Sequence, residues 1–179
     1  LLRLAGVMVI EEFFDPALVC GGEVPPAFAA LDPGVVAVGS FSKALFPGLR
    51  VGWITGPAAL VDRVAAVKCT ADLSGSTFLE AAAWALCRRG VLEAQFARLR
   101  RSAQARRGVV LGMLETAPPG VGWSHPRGGF SLLVTLPPGW SSRDVAARAA
   151  KRGVWVLPGP AMSVSGRDDV LRVAYAAVG

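Results

Sequence analysis

Tyrosine and histidine are almost missing from this chain, at one each in 179 residues, and cysteine and methionine occur three times apiece. Cys20, Cys69 and Cys87 are odd in number and show no CxxC spacing, which argues against both a zinc site and a disulfide framework. A reduced, cytoplasmic protein with no metal is expected. No apolar run reaches the ~18 residues of a membrane span. The opening "LLRLAGVMVI" has neither a cationic n-region nor a cleavage site, so neither a membrane partner nor a secretion signal is expected. It begins on Leu1, and residue 1 is not read as the natural start.

Acidic residues are also scarce, 13 against 19 basic ones. Much of the excess lies in "RRGVLEAQFARLRRSAQARR" (88–107). Cations along a helix can contact nucleic acid. Here no aromatic stacking platform, zinc pattern or reading helix accompanies them. The stretch reads as a solvated helix face or an arginine-rich dimer rim, and no nucleic-acid partner is expected. What is abundant is apolar: 53% of residues are hydrophobic, much of that alanine and valine. Such a chain can bury a real core and a further face in a homodimer.

"GVMVIEE" (6–12), "PGVVAVGSFS" (33–42) and "LRVGWIT" (49–55) read as strands, the first a buried run ending in acids. A short helical piece is expected around "PPAFAAL". Residues 57–72 read as a helix with proline at its first position and an apolar stripe. "STFLEAAAWALCRRG" reads as a helix capped by Ser76 or Thr77, and 91–116 as a longer one. Beyond it "GWSHPRGGFSLLVTLPPGW" alternates like a hairpin, "SSRDVAARAAKRG" is a capped helix, and "VWVLPG" and "VLRVAYAAV" are strands. The expected architecture is an α/β domain over 1–90 followed by a small α+β domain over 91–179.

Ligands in α/β sheets gather at the carboxyl ends of strands, where Glu11, Glu12 and Lys43 fall. Desolvation of a lysine there would favour its neutral, nucleophilic form. Ser40, Ser42 and Arg50 supply hydroxyl donors and a planar guanidinium suited to a phosphate. His125 in "SHPRGG" reads as a turn residue, and the five tryptophans as packing residues, one or two of which could face an aromatic substrate.

Together "SFSKALFPGLRVGW" resembles the cofactor-lysine motif of fold-type-I pyridoxal-phosphate aminotransferases, nearest to the branch with 2-aminoadipate aminotransferases and MocR-like regulators. The resemblance covers essentially the whole chain and corresponds to the C-terminal half of the family's sequence. It implies a partial fold-type-I large domain plus the C-terminal small domain. Lys43 would be the Schiff-base lysine, Ser40, Ser42 and Arg50 the phosphate ligands, and Arg172 in "VLRVAYA" the substrate-carboxylate clamp.

The chain departs from the family on the ring side. Glu12 stands where the family has the aspartate to the pyridine nitrogen, and Phe14 where it has a tyrosine to the ring hydroxyl. The glycine-rich phosphate cup and the ring-stacking aromatic belong to the family's other half. These departures favour an aminotransferase-derived enzyme working without pyridoxal phosphate. It would join an amino acid to an aldehyde or ketone, phosphorylated or not, by imine chemistry of the Pictet–Spengler kind. Glu12, Glu11 or Asp15 would be its general acid/base, and Lys43 a proton shuttle. The alternatives are a pyridoxal-phosphate aminotransferase completed by further polypeptide or another chain, and a non-catalytic ligand-sensing or dimerisation domain.

Overall fold

The computed structural model describes residues 6–13, 18–21 and 23–176. They fall into two compact units: the described residues through Leu18 with Glu23–Leu99, and Val19–Gly21 with the residues from Arg100 onward.

In the first unit a three-stranded sheet runs β1 (Ile10–Glu12), β2 (Val36–Ser40), β3 (Gly52–Thr55). β1 is parallel to β2, with Ile10 opposite Val36, and β3 is antiparallel, with Trp53 opposite Gly39. Asp32 accepts the Gly34 amide hydrogen at 2.8 Å and so shapes the Pro-Gly turn into β2. β2 has a neighbour on each side, and its Val36 and Ala37 are 2% exposed.

The apolar run 6–12 pairs as a strand only over its last three residues, and Ile10 is 64% exposed. Among the described residues β1 is paired on one side alone, by β2, and so lacks the burial its sequence leads one to expect.

Helix α1 (Phe28–Leu31) is one turn long, and α2 (Ala58–Asp72) follows β3. Pro57 precedes α2 as its cap residue, one position earlier than expected, and its carbonyl accepts the Leu60 and Val61 amides. No residue of α2 is buried, and of its expected apolar stripe Leu60 and Val61 are partly covered while Val64 and Val67 are exposed. Helix α3 (Thr77–Arg88) begins as its sequence predicts, with the Ser76 hydroxyl accepting the Leu79 amide and Glu80 in the first turn. Gly90 turns with φ +70° into α4 (Val91–Leu114), the helix inside which the two units divide.

The second unit holds an antiparallel sheet in the order β4 (Gly122–Trp123), β5 (Ser131–Thr135), β7 (Val170–Ala174), β6 (Leu157–Pro158). Its inner face carries Leu132, Val134 and Leu171, which form a core with Tyr175 and with Ala103 of α4. The "VWVLPG" strand is shorter than expected, since only Leu157 and Pro158 join the ladder.

Helix α5 (Ser142–Ala150) is pinned at its start by an acid 26 residues downstream. Asp168 accepts hydrogen bonds from the Ser142 hydroxyl at 2.6 Å, the Ser141 hydroxyl at 2.7 Å and the Arg143 amide at 3.2 Å. Ser142 is fully buried, and its oxygen in turn accepts the Gly159 amide. The segment at Val19 belongs here too. Val19 bridges Gly128, and the Cys20 amide donates to the Arg127 carbonyl at 2.6 Å.

Candidate functional site

Four of the expected site residues share one loop at the carboxyl end of β2. Ser40 ends the strand, and the Ser42 amide donates to its Oγ at 3.3 Å. The Phe41 amide reaches back to the Val51 carbonyl at 3.1 Å, which ties the loop across the mouth of the β2–β3 pair. The Leu45 amide closes a turn on the Phe41 carbonyl at 2.8 Å. A 3-10 turn at Pro47–Leu49 then buries Leu49 completely.

Arg50 follows with φ 52° and ψ 25°, the left-handed region that costs a residue with a Cβ about 1–2 kcal/mol. Backbone held in this way at a loop of polar side chains is the kind of strain that functional sites store. Its guanidinium makes one long bond, 3.5 Å from Nη1 to the Pro47 carbonyl. Its remaining donors have no partner among the described residues. Lys43 is exposed, so the burial expected to desolvate its amine is absent from this chain.

The two acids at the end of β1 have parted roles. Alternation along the sheet puts Glu12 on the face of Val38 and Ser40, and Glu11 on the face of Gly39 and Trp53. The Glu11 carboxylate accepts the amides of Phe28 at 2.9 Å and Ala29 at 3.0 Å, serving as the cap that Ala27 cannot provide for α1. Glu12 is exposed, with no hydrogen-bond partner among the described residues. On the Glu11 face, Phe13 meets Trp53 with ring centroids 5.3 Å apart. Phe14 and Asp15 lie outside the described residues.

This donor set can be matched against pyridoxal phosphate. Two hydroxyls and a mostly uncommitted guanidinium on one loop suit the phosphate, an unpartnered amine beside them suits the aldehyde, and a free carboxylate suits a ring nitrogen. The residues present fit the group on its phosphate and amine sides.

Arg172 belongs to the second unit. It lies on the outer face of the sheet, opposite Leu133 and Leu157 in the ladder. Its Nε donates to the Ser131 hydroxyl at 3.2 Å. It lines an open cavity of ≈ 270 Å³ with Trp155, Val156, Leu157 and Ala174. Ser131 was not singled out from the sequence, although the alternation of "SLLVT" puts it on the same face as Arg172. The lone tyrosine, Tyr175, is buried, donates to the Gly128 carbonyl at 3.1 Å, and has its phenol pushed up by that burial. Among the described residues no cluster of three or more His, Cys, Asp or Glu side chains could hold a metal, and no helix is long and apolar enough to cross a membrane.

A family model described as aminotransferase class I and II matches residues 7–179. Aromatic-amino-acid aminotransferase 1 of Thermococcus litoralis is 34% identical over 167 residues, 90% of this chain and 40% of its own. The 2-aminoadipate transaminase of Thermus thermophilus is 31% identical over 178 residues, 96% of this chain and 45% of its own. The kynurenine aminotransferase of Pyrococcus horikoshii superposes with a TM-score of 0.92 at 32% identity, over 99% of this chain and 45% of that structure. This chain therefore spans less than half the length of each of these relatives.

Proposed function

The chain belongs to the class I and II aminotransferase family, and on that premise we propose that it is the lysine-bearing part of a pyridoxal-phosphate-dependent amino-acid aminotransferase. The observation that carries this reading is the 40–50 loop. It gathers Ser40, Ser42, Lys43 and Arg50, with Arg50 in a left-handed conformation and its guanidinium nearly unclaimed. The relatives above bear aminotransferase names. They support this reading better than the imine condensation that Glu12 and Phe14 suggest from the sequence.

In this reading Arg50 and the two serine hydroxyls hold the phosphate through charge-assisted hydrogen bonds. Pyridoxal phosphate, when bound, supplies the electron sink that weakens bonds at the substrate's α-carbon. Lys43 Nζ would take the α-proton and return it, and Glu12 would be the carboxylate available to the ring nitrogen. In the second unit, Arg172 would be the group suited to a substrate carboxylate. The glycine-rich cup and the stacking aromatic would come from further polypeptide, in the same chain or in a homodimeric partner.

The test is an absorbance spectrum of the purified protein before and after adding pyridoxal phosphate, with borohydride treatment, for wild type and Lys43→Ala. A borohydride-fixable visible band is expected in wild type alone. Amino-acid turnover should fall on the order of 10²–10⁴-fold in the variant, the span of general acid/base catalysis. Unchanged turnover in Lys43→Ala, or a colourless wild type that condenses an amine with an aldehyde, overturns the reading.

A further inference from the structure

The outer face of the second unit's sheet is built around one cation. Ser131 and Ala174 are opposite each other in the β5–β7 ladder, Arg172 is opposite both Leu133 and Leu157, and all five share that face. Two residues before Leu157, Trp155 joins the same cavity and is 82% exposed. Tryptophan is seldom left so bare.

Among the described residues lining the cavity, Arg172 is the sole charged one and none is an acid. Its Nε is occupied by the Ser131 hydroxyl. That fixes the plane of the guanidinium and leaves its two Nη groups for an incoming carboxylate. Ala174 is the smallest residue of a lining that also holds the guanidinium and the indole. At ≈ 270 Å³ the space lies just below the ~300 Å³ at which ligand pockets begin, room for a single amino-acid-sized molecule.

We propose that Trp155 is the specificity wall of the Arg172 site, selecting amino or oxo acids whose side chain carries an aromatic ring, with Ser131 as the positioning residue of the clamp. This rests on the aminotransferase reading for Arg172 as the carboxylate group and adds to it the class of side chain. Among the described lining residues a second carboxylate on the ligand finds no further cation, and an ammonium finds no acid. A ring gains offset contact with the indole face beyond its area burial, which an alkyl chain does not.

The test is calorimetric titration of the purified chain with 3-phenylpropionate, hexanoate and 3-phenylpropionamide. Wild type should bind 3-phenylpropionate tightest and the amide weakest. Trp155→Ala should lose about tenfold for 3-phenylpropionate and little for hexanoate. Arg172→Gln should lose about 10–100-fold for both acids. Ala174→Met, which fills the cavity and leaves both Trp155 and Arg172 in the chain, should weaken 3-phenylpropionate as Trp155→Ala does. Equal losses for both acids in Trp155→Ala, or no binding of 3-phenylpropionate by folded wild type, overturns the proposal. The titrations need no pyridoxal phosphate, so failure here and failure of the Lys43 experiment are separate results.

Discussion

The indole of Trp53 lies over the bare Cα of Gly39, its directly opposite partner in the β2–β3 ladder, so closely that a Cβ on Gly39 would overlap the ring. The ring cannot swing away freely, because Phe13 packs on it at 5.3 Å. Gly39→Ala should therefore cost about 1–3 kcal/mol, the usual range for overpacking. A urea titration followed by tryptophan fluorescence measures it, and an unchanged midpoint would show that the ring moves at no cost.

Arg50 offers a substitution whose effects on stability and binding have opposite signs. Arg50→Gly relieves a left-handed conformation worth about 1–2 kcal/mol and loses ~0.5–1 kcal/mol to the freer unfolded chain, for a net gain of about 0–1.5 kcal/mol. The same change removes the guanidinium, so affinity for inorganic phosphate should drop about tenfold or more. Thermal unfolding and phosphate titration on one sample check both signs. Lower stability in the glycine variant would refute the strain.

Glu11→Ala removes both acceptors that hold the first turn of α1, with no side chain at Ala27 to replace them. The expected loss is about 1 kcal/mol, as for other helix caps. Amide hydrogen exchange should quicken at Phe28 and Ala29 ahead of the rest of the first unit. If those two amides exchange as in wild type, Glu11 is not their cap.

Asp168 makes the second unit sensitive to acid. Hydrogen bonds from Ser142 first, then Ser141, hold its carboxyl below the ordinary aspartate range. A depressed folded-state value means that the stabilisation is full above the unfolded-state value and disappears as pH falls through the folded one. The gap in urea midpoint between wild type and Asp168→Ala should be constant from neutral pH to about pH 5 and close progressively below about pH 4. Asp169 is held below the ordinary range by its bond to Arg167, against a smaller upward push from the Asp168 charge, so Asp169→Asn is carried in both proteins to keep it out of the difference. A gap that widens in acid would reverse the assignment.

Local signals were legible where one short stretch decides the outcome. Ser76 and Ser141 announce their helices, and both are seen accepting an amide from the first turn. The alternation of "SLLVT" gives the inner and outer faces of β5. The loop residues Ser40, Ser42, Lys43 and Arg50 were read together because they are close in sequence.

Decisions made by distant residues were not legible. Nothing near "SSRDV" says that Asp168 will hold it, and nothing in "VIEE" says that Phe28 and Ala29 will claim Glu11 and leave Glu12 free. The burial of "GVMVI" was overestimated for the same reason. Hydrophobicity shows what a strand could bury, and the number of its neighbours decides what it does bury.

One detour of the chain limits how this protein can be taken apart. Val19–Gly21 leaves the first unit, pairs beside Gly128, and the chain is back in the first unit at Glu23. A gene cut after Leu99 would yield a C-terminal piece without the segment that bonds to Arg127 and Gly128, and an N-terminal piece carrying that segment without its partners. Cleavage at that boundary separates Val19 and Cys20 from the residues they bond to, so the second unit keeps these contacts only in the uncut chain.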